Sequence, residues 1–267
     1  MRRALWVWQL GLLVVIFAAW QLLAQPDLLP PIVWDNPHRA AFFFGEPLKI
    51  FQVVWTWFSG GEIYQHLWVT LQETALAFVI GSLAGLAVGL WLGLSPSASA
   101  LLDPYITAMN AMPRVVLAPI FMVWFGLGIW SKVALGVTLV FFIVFFNVYQ
   151  GVKEVSPVVL NNTVMLGANR RQLLRYVYLP SATSWVFSSL HTAVGMAFVG
   201  AVVGEYLGSA KGVGYLIQQA EGAFDINTVF AGILVLTAFA LVLDFAVGRA
   251  EKRLLVWRPT QGETEKL

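Results

Sequence analysis

Six stretches of this chain are apolar and nearly free of charge over about 20 residues: 5–23, 67–94, 105–127, 133–149, 185–207 and 228–247. A helix rises about 1.5 Å per residue and the hydrocarbon of a bilayer is roughly 30 Å thick, so each stretch is long enough to cross it. The composition agrees, with 59% hydrophobic and 11% charged residues, against roughly 25% charged in an ordinary soluble domain. The expectation is an all-α integral membrane protein with about six transmembrane helices. The 267-residue chain has no cysteine, which removes disulfides, thiol nucleophiles and Cys metal sites. A net charge of +2, without a basic run interleaved with aromatics, offers nothing to nucleic acid.

The first run follows Arg2 and Arg3. It lacks a small-residue cleavage site before Gln25 and Pro26 and is longer than the apolar core of a signal peptide, so 1–25 reads as a retained anchor. A connector, 26–65, follows, broken by Pro26, Pro30, Pro31 and Pro37. Within it 48–58 (LKIFQVVWTWF) is too short to span and reads as an interfacial helix with Trp55 and Trp57 at headgroup depth, or else as a helix packed on the bundle. Gly81, Gly85, Gly89 and Gly93 recur every four residues in the second run. That spacing puts them on one helix face, where a neighbouring helix can approach closely. The segment 95–103 reads as a reversing turn. Pro113 and Pro119 interrupt the third run beside Arg114, so a kink or unwound segment is expected there. Aromatic residues Phe141, Phe142, Phe145, Phe146 and Tyr149 crowd the fourth.

Between the fourth and fifth runs lies a polar loop, 151–184, carrying Lys153, Arg170, Arg171 and Arg175. Cytoplasmic loops collect Lys and Arg, which places this loop and both termini inside. Arg2, Arg3, Arg249, Lys252, Arg253, Arg258 and Lys266 then also lie inside, the last ones flanking or within a tail, 251–267. Arg39, Lys49, Lys132 and Lys211 lie outside. Removing the first span would leave everything downstream unchanged. Within the loop, Pro157 suits a helix start, 158–165 is compatible with helix and Gly167 permits a turn.

Ionisable residues inside a membrane are functional hypotheses by default. Here they are Glu73, expected in an interhelical hydrogen bond; His191, expected to bond a neighbouring helix; Asp244, expected to pair with Arg249 or another basic residue; and Glu205, which either gates a cavity or caps the Gly-rich turn after it. Transport by an ion gradient is the competing reading, but it calls for inverted repeats with matching broken helices, and none is visible. His38, His66 and His191 are too scattered for an intramembrane enzyme. No GxxxxGK[ST] loop is present, so the chain is not an enzyme that hydrolyses nucleotides.

The central loop resembles the signature cytoplasmic loop of bacterial ABC importer permeases, whose pattern is Glu-Ala-Ala, three residues, Gly, nine residues, Ile, one residue, Leu-Pro. Gly167, Val177, Leu179 and Pro180 fit it in register, with Val for Ile, while Asn161, Asn162 and Thr163 replace Glu-Ala-Ala. The segments HLWVTLQETALAFVIGSLAGLAVGLWLGLS, AMPRVVLAPIFMVWFGLGIWSKV, GEYLGSAKGVGYLI and LLVWRP are similar to the branch that imports nitrate, sulfonates, taurine and related solutes. The resemblance implies a type I importer permease with its core at 66–250, in a bacterial inner membrane. It also implies a second copy of the permease, two cytoplasmic ATPase subunits that hold ATP and Mg, and an external binding protein delivering a small anionic solute. No cofactor is expected in this chain itself. By the same resemblance, Asn161, Asn162, Thr163, Gly167, Val177, Leu179 and Pro180 couple to the ATPase, Asn161 without the salt bridge an acid would make. Asn110, Met112, Pro113, Asn147, Tyr149, Thr192, Met196 and Glu205 are the candidates for the translocation path or its gate. No cluster of Lys or Arg lies inside the membrane to grip an anion, which leaves selection to the binding protein.

Overall fold

The structure, a computed structural model, describes residues 2–24 and 37–254. In chain order its α-helices are α1 (Arg2–Ala24), α2 (Pro37–Phe44), α3 (Pro47–Gly60), α4 (Glu62–Leu94), α5 (Pro96–Ala111), α6 (Ala118–Phe125), α7 (Ile129–Lys153), α8 (Pro157–Met165), α9 (Arg170–Leu173), α10 (Leu179–Ser188), α11 (Leu190–Leu207), α12 (Val213–Gly222) and α13 (Ile226–Leu254). Among the described residues there is no strand. Among the described residues five helices are long and apolar enough to cross a membrane, namely α1, α4, α7, α11 and α13, and a sixth span arises if the bent pair α5 and α6 counts as one.

The chain divides into two compact units, Met1–Trp68 with Glu205–Ala238 and Val69–Gly204 with Phe239–Leu267. In the first, the Trp20 indole donates to the Phe44 carbonyl at 3.0 Å and the Leu48 amide to Gln21 Oε1 at 3.1 Å. The Glu46 amide donates to Asn227 Oδ1 at 2.8 Å, tying the start of α3 to α13. Pro47 opens α3, where its missing N–H costs nothing. Ile50 is fully buried while Leu48, Phe51, Trp55 and Phe58 are exposed, a one-sided helix of the kind read from 48–58.

In the second unit the four-residue glycine stripe of α4 meets a four-residue valine stripe of α7. A Cβ added to Gly81, Gly89 or Gly93 would come within 2.7 to 2.9 Å of Cβ of Val140, Val148 or Val152, and one at Gly85 would meet the Phe141 carbonyl at 2.8 Å. Lipid tails are as apolar as side chains, so close van der Waals contact between small residues has to hold such helices together. Ala77, Val144, Ala182, Ala193 and Ala197 extend this core. Gly200 of α11 and Gly136 of α7 approach so closely that a Cβ on Gly200 would lie 2.5 Å from Gly136 Cα.

One expectation needs correction. The segment 95–103 is not a turn: Ser95 precedes α5, and Pro96 starts a helix that continues through Pro104 to Ala111. The third run is broken as expected: α5 and the segment Arg114–Phe125 meet at 86° across Met112 and Pro113, both extended. Proline cannot donate to the helix ladder, and the residue before it is pushed out of the helical region. Lys132 is fully buried in the first turn of α7, where its Nζ donates to the Leu127 and Gly128 carbonyls at 2.5 and 3.1 Å. The start of the connector and the end of the tail, with Arg258 and Lys266, lie outside the described residues.

Candidate functional site

The polar loop is a helical arm closed at its base. Gly151, near the end of α7, faces Trp185 of α10 so closely that a Cβ would sit 2.5 Å from Trp185 Cδ1. Ser181 Oγ donates to the Gly151 carbonyl at 2.8 Å, and Ala182 beside it is fully buried. Out on the arm, α8 begins at Pro157 and none of its residues is buried. Thr163 Oγ1 donates to the Val159 carbonyl at 2.6 Å, while Asn161 and Asn162 face solvent. Val158, Val159 and Val164 are also exposed, and Met165 and Leu166 are 84% and 88% exposed.

Gly167 ends α8 with φ of 84°, a left-handed conformation that costs a side chain about 1–2 kcal/mol. Its amide and that of Ala168 return to the Val164 and Thr163 carbonyls, closing the helix as a glycine C-cap does. Asn169 then starts α9 with a reciprocal cap: the Gln172 amide donates to Asn169 Oδ1 at 2.9 Å and the Asn169 amide to Gln172 Oε1 at 2.8 Å. One π turn, Leu174–Tyr178, carries the helix on into α10, with Val177 inside it and Leu179 and Pro180 after it. Val177 and Leu179 are half-buried, whereas Pro180 is exposed. Arg170, Arg171, Arg175 and Tyr176 are exposed along this returning limb.

The path residues fall in separate places. Asn110, Met112 and Pro113 share the break between α5 and the following turn, and all three are exposed. Tyr149 is tied through its hydroxyl to Ser99 Oγ at 2.5 Å, and Asn147 Nδ2 donates to the Ile143 carbonyl of its own helix at 2.8 Å. Thr192 and Val199 occupy an exposed face of α11 together with Gly195, and Met196 is half-buried beside them. Glu205 is 1% exposed, and its Oε2 accepts the Gly214 amide at 2.7 Å. Its carboxylate fills the space where a side chain on Gly212 would stand. This is the geometry of a cap on the start of α12, with negative charge at a helix N-terminus.

Asp244 pairs with a basic residue at that face, His191, rather than with Arg249. His191 Nδ1 lies 2.7 Å from Asp244 Oδ1 and its Nε2 lies 2.9 Å from Glu251 Oε2, so the imidazole joins α11 to two successive turns of α13. Glu73 is buried at 1% exposure. Among the described residues no group of three or more His, Asp or Glu side chains is placed to hold a metal ion.

Helices long and apolar enough to cross a membrane, joined by small-residue seams, are those of a multi-pass membrane protein. Residues 77–256 match the family described as the binding-protein-dependent transport system inner membrane component, and the chain belongs to it as a permease of an ABC importer. It is 30% identical to SsuC of Bacillus subtilis, assigned to aliphatic sulfonates transport, over 94% of this chain and 88% of that one. Identity is 29% to the taurine transport system permease protein TauC of Escherichia coli, covering 96% and 94%. With the formylaminopyrimidine transport permease protein ThiX of Halalkalibacterium halodurans it is 31%, covering 88% and 94%. Among solved structures, the inward-facing MetNI methionine ABC transporter superposes with a TM-score of 0.63 at 17% identity, over 72% of this chain and 95% of that chain. That likeness is one of fold.

Proposed function

We propose that the arm at 151–184 is the surface through which a cytoplasmic ATPase drives this permease, and that the working unit is two permeases with two ATPases. The observation that carries this is α8. Nine residues are fewer than the roughly 12–15 an isolated helix needs, and its valines together with Met165 and Leu166 meet no apolar cover. A groove on a partner supplies that cover, and the sealed base at Gly151, Ser181 and Trp185 passes the partner's rigid-body motion into α7 and α10. The exposed arginines of the arm support a cytoplasmic arm and cytoplasmic termini. ATP and Mg are held by the ATPase. An external binding protein delivers the solute, which is small and anionic, as the sulfonate and taurine relatives suggest. The path runs past the broken third span and the open face of α11.

Deleting 158–165 removes the seat while sparing the base. The permease then inserts and accumulates, but the cognate ATPase no longer co-purifies with it. Co-purification at the level of the natural chain would show that the arm is a passive tether.

A further inference from the structure

Arg114 stands at the break of the third span, and its surroundings are those of a binding group. The chain leaves α5 at Ala111, crosses Met112 and Pro113 in extended conformation and turns through 86°. Non-helical backbone inside a membrane protein is tolerated where protein buries it or where it lines a water-filled cavity. Met112, Pro113, Val115 and Val116 around it are exposed rather than packed, so a path is the better fit.

The guanidinium is held in one orientation by neutral groups. It lies 4.6 Å from the centre of the Phe142 ring, and Nη2 donates to the Asn110 carbonyl at 3.0 Å and to Asn110 Oδ1. Phe142 is itself buried, so the platform beneath the cation is fixed. Nε is buried without an acceptor, and among the described residues Nη1 donates to nothing and no carboxylate pairs with the cation. The residue as a whole is half-buried. Here an arginine has been oriented through Nη2 and left with Nη1 open, a charged donor that suits an oxyanion.

We infer that Arg114 is an anion-recognising residue of the translocation path, taking the sulfonate or carboxylate of the solute as it passes the break. Asn110 and Phe142 act as positioning residues, holding the guanidinium without neutralising it. This rests on the import reading above and sharpens it: a single oriented arginine replaces the cluster of cations that an anion path would otherwise need.

The test uses the natural chain assembled with its ATPase in nanodiscs, so no variant's folding enters. Phenylglyoxal modification of each arginine is followed by peptide mass spectrometry while methanesulfonate, a sulfonate probe, is titrated in. Methanesulfonamide, its neutral counterpart, is titrated in parallel. Arg170 and Arg171, exposed on the arm, serve as internal references. Arg114 is expected to react and to be protected by methanesulfonate alone, by about tenfold once the probe is about ten times above its dissociation constant. An Arg114 that does not react, that slows no more than the references, or that is protected equally by the sulfonamide overturns the inference. Co-purification of the ATPase is scored on the same sample, so failure of the docking reading is seen separately.

Discussion

The seam between α4 and α7 and the arm carrying α8 lie in the same unit and are built on opposite rules. At the seam, glycines at four-residue spacing let two helices touch backbone to side chain, and every added atom would collide. On the arm, a Cβ at Gly167 would meet nothing within 4 Å, and the apolar side chains of α8 point into open space. The seam is finished within one chain and the arm is not. A glycine in the first is there for lack of volume, and the glycine in the second for its backbone conformation.

Replacing Gly85 with Leu tests the first rule and carries the largest effect. A Cβ there already meets the Phe141 carbonyl at 2.8 Å and the Phe145 amide nitrogen at 3.0 Å. These are backbone atoms that cannot rotate aside, so overpacking costs more than about 3 kcal/mol. Little folded permease should survive detergent extraction, read as loss of the monodisperse peak in size-exclusion chromatography. A full peak would mean that the seam is looser than the geometry allows. Gly167→Ala tests the second rule and should cost only about 1 kcal/mol, the penalty of a left-handed residue with a side chain. It should lower the thermal midpoint of the extracted protein slightly and leave its yield unchanged. A loss as large as that of Gly85→Leu would erase the distinction between the two regions.

Much of this contrast is visible in the sequence, because helical periodicity is local. The four-residue glycine repeat reveals its face directly, and Pro157 and Gly167 bracket α8 by start and stop chemistry that acts over a few residues. What is not visible depends on contacts between distant parts of the chain. Ser95 to Asp103 is polar enough to read as a turn, yet Pro96 sits where a helix tolerates proline, and the helix simply begins there. Lys132 follows a Gly-rich bend, and the sequence does not show that its long stem lets the ammonium fold back onto the carbonyls of that bend while the residue is buried. Asp244 has a basic residue nearby in sequence at Arg249, and it is the crossing of α11 that offers His191 instead. For Arg114 the sequence shows an arginine beside a proline, while the Phe142 platform and the open guanidinium edge exist only once α7 packs behind the break.

The central claim is that α8 and Leu166 are covered by the ATPase, and the absence of cysteine from the chain makes it directly measurable. A single Met165→Cys variant places one thiol at a position that is 84% exposed. Maleimide should label it rapidly in the isolated permease and far more slowly in the assembled complex, with labelling restored when the ATPase is dissociated. Equal labelling rates with and without bound ATPase would contradict the account.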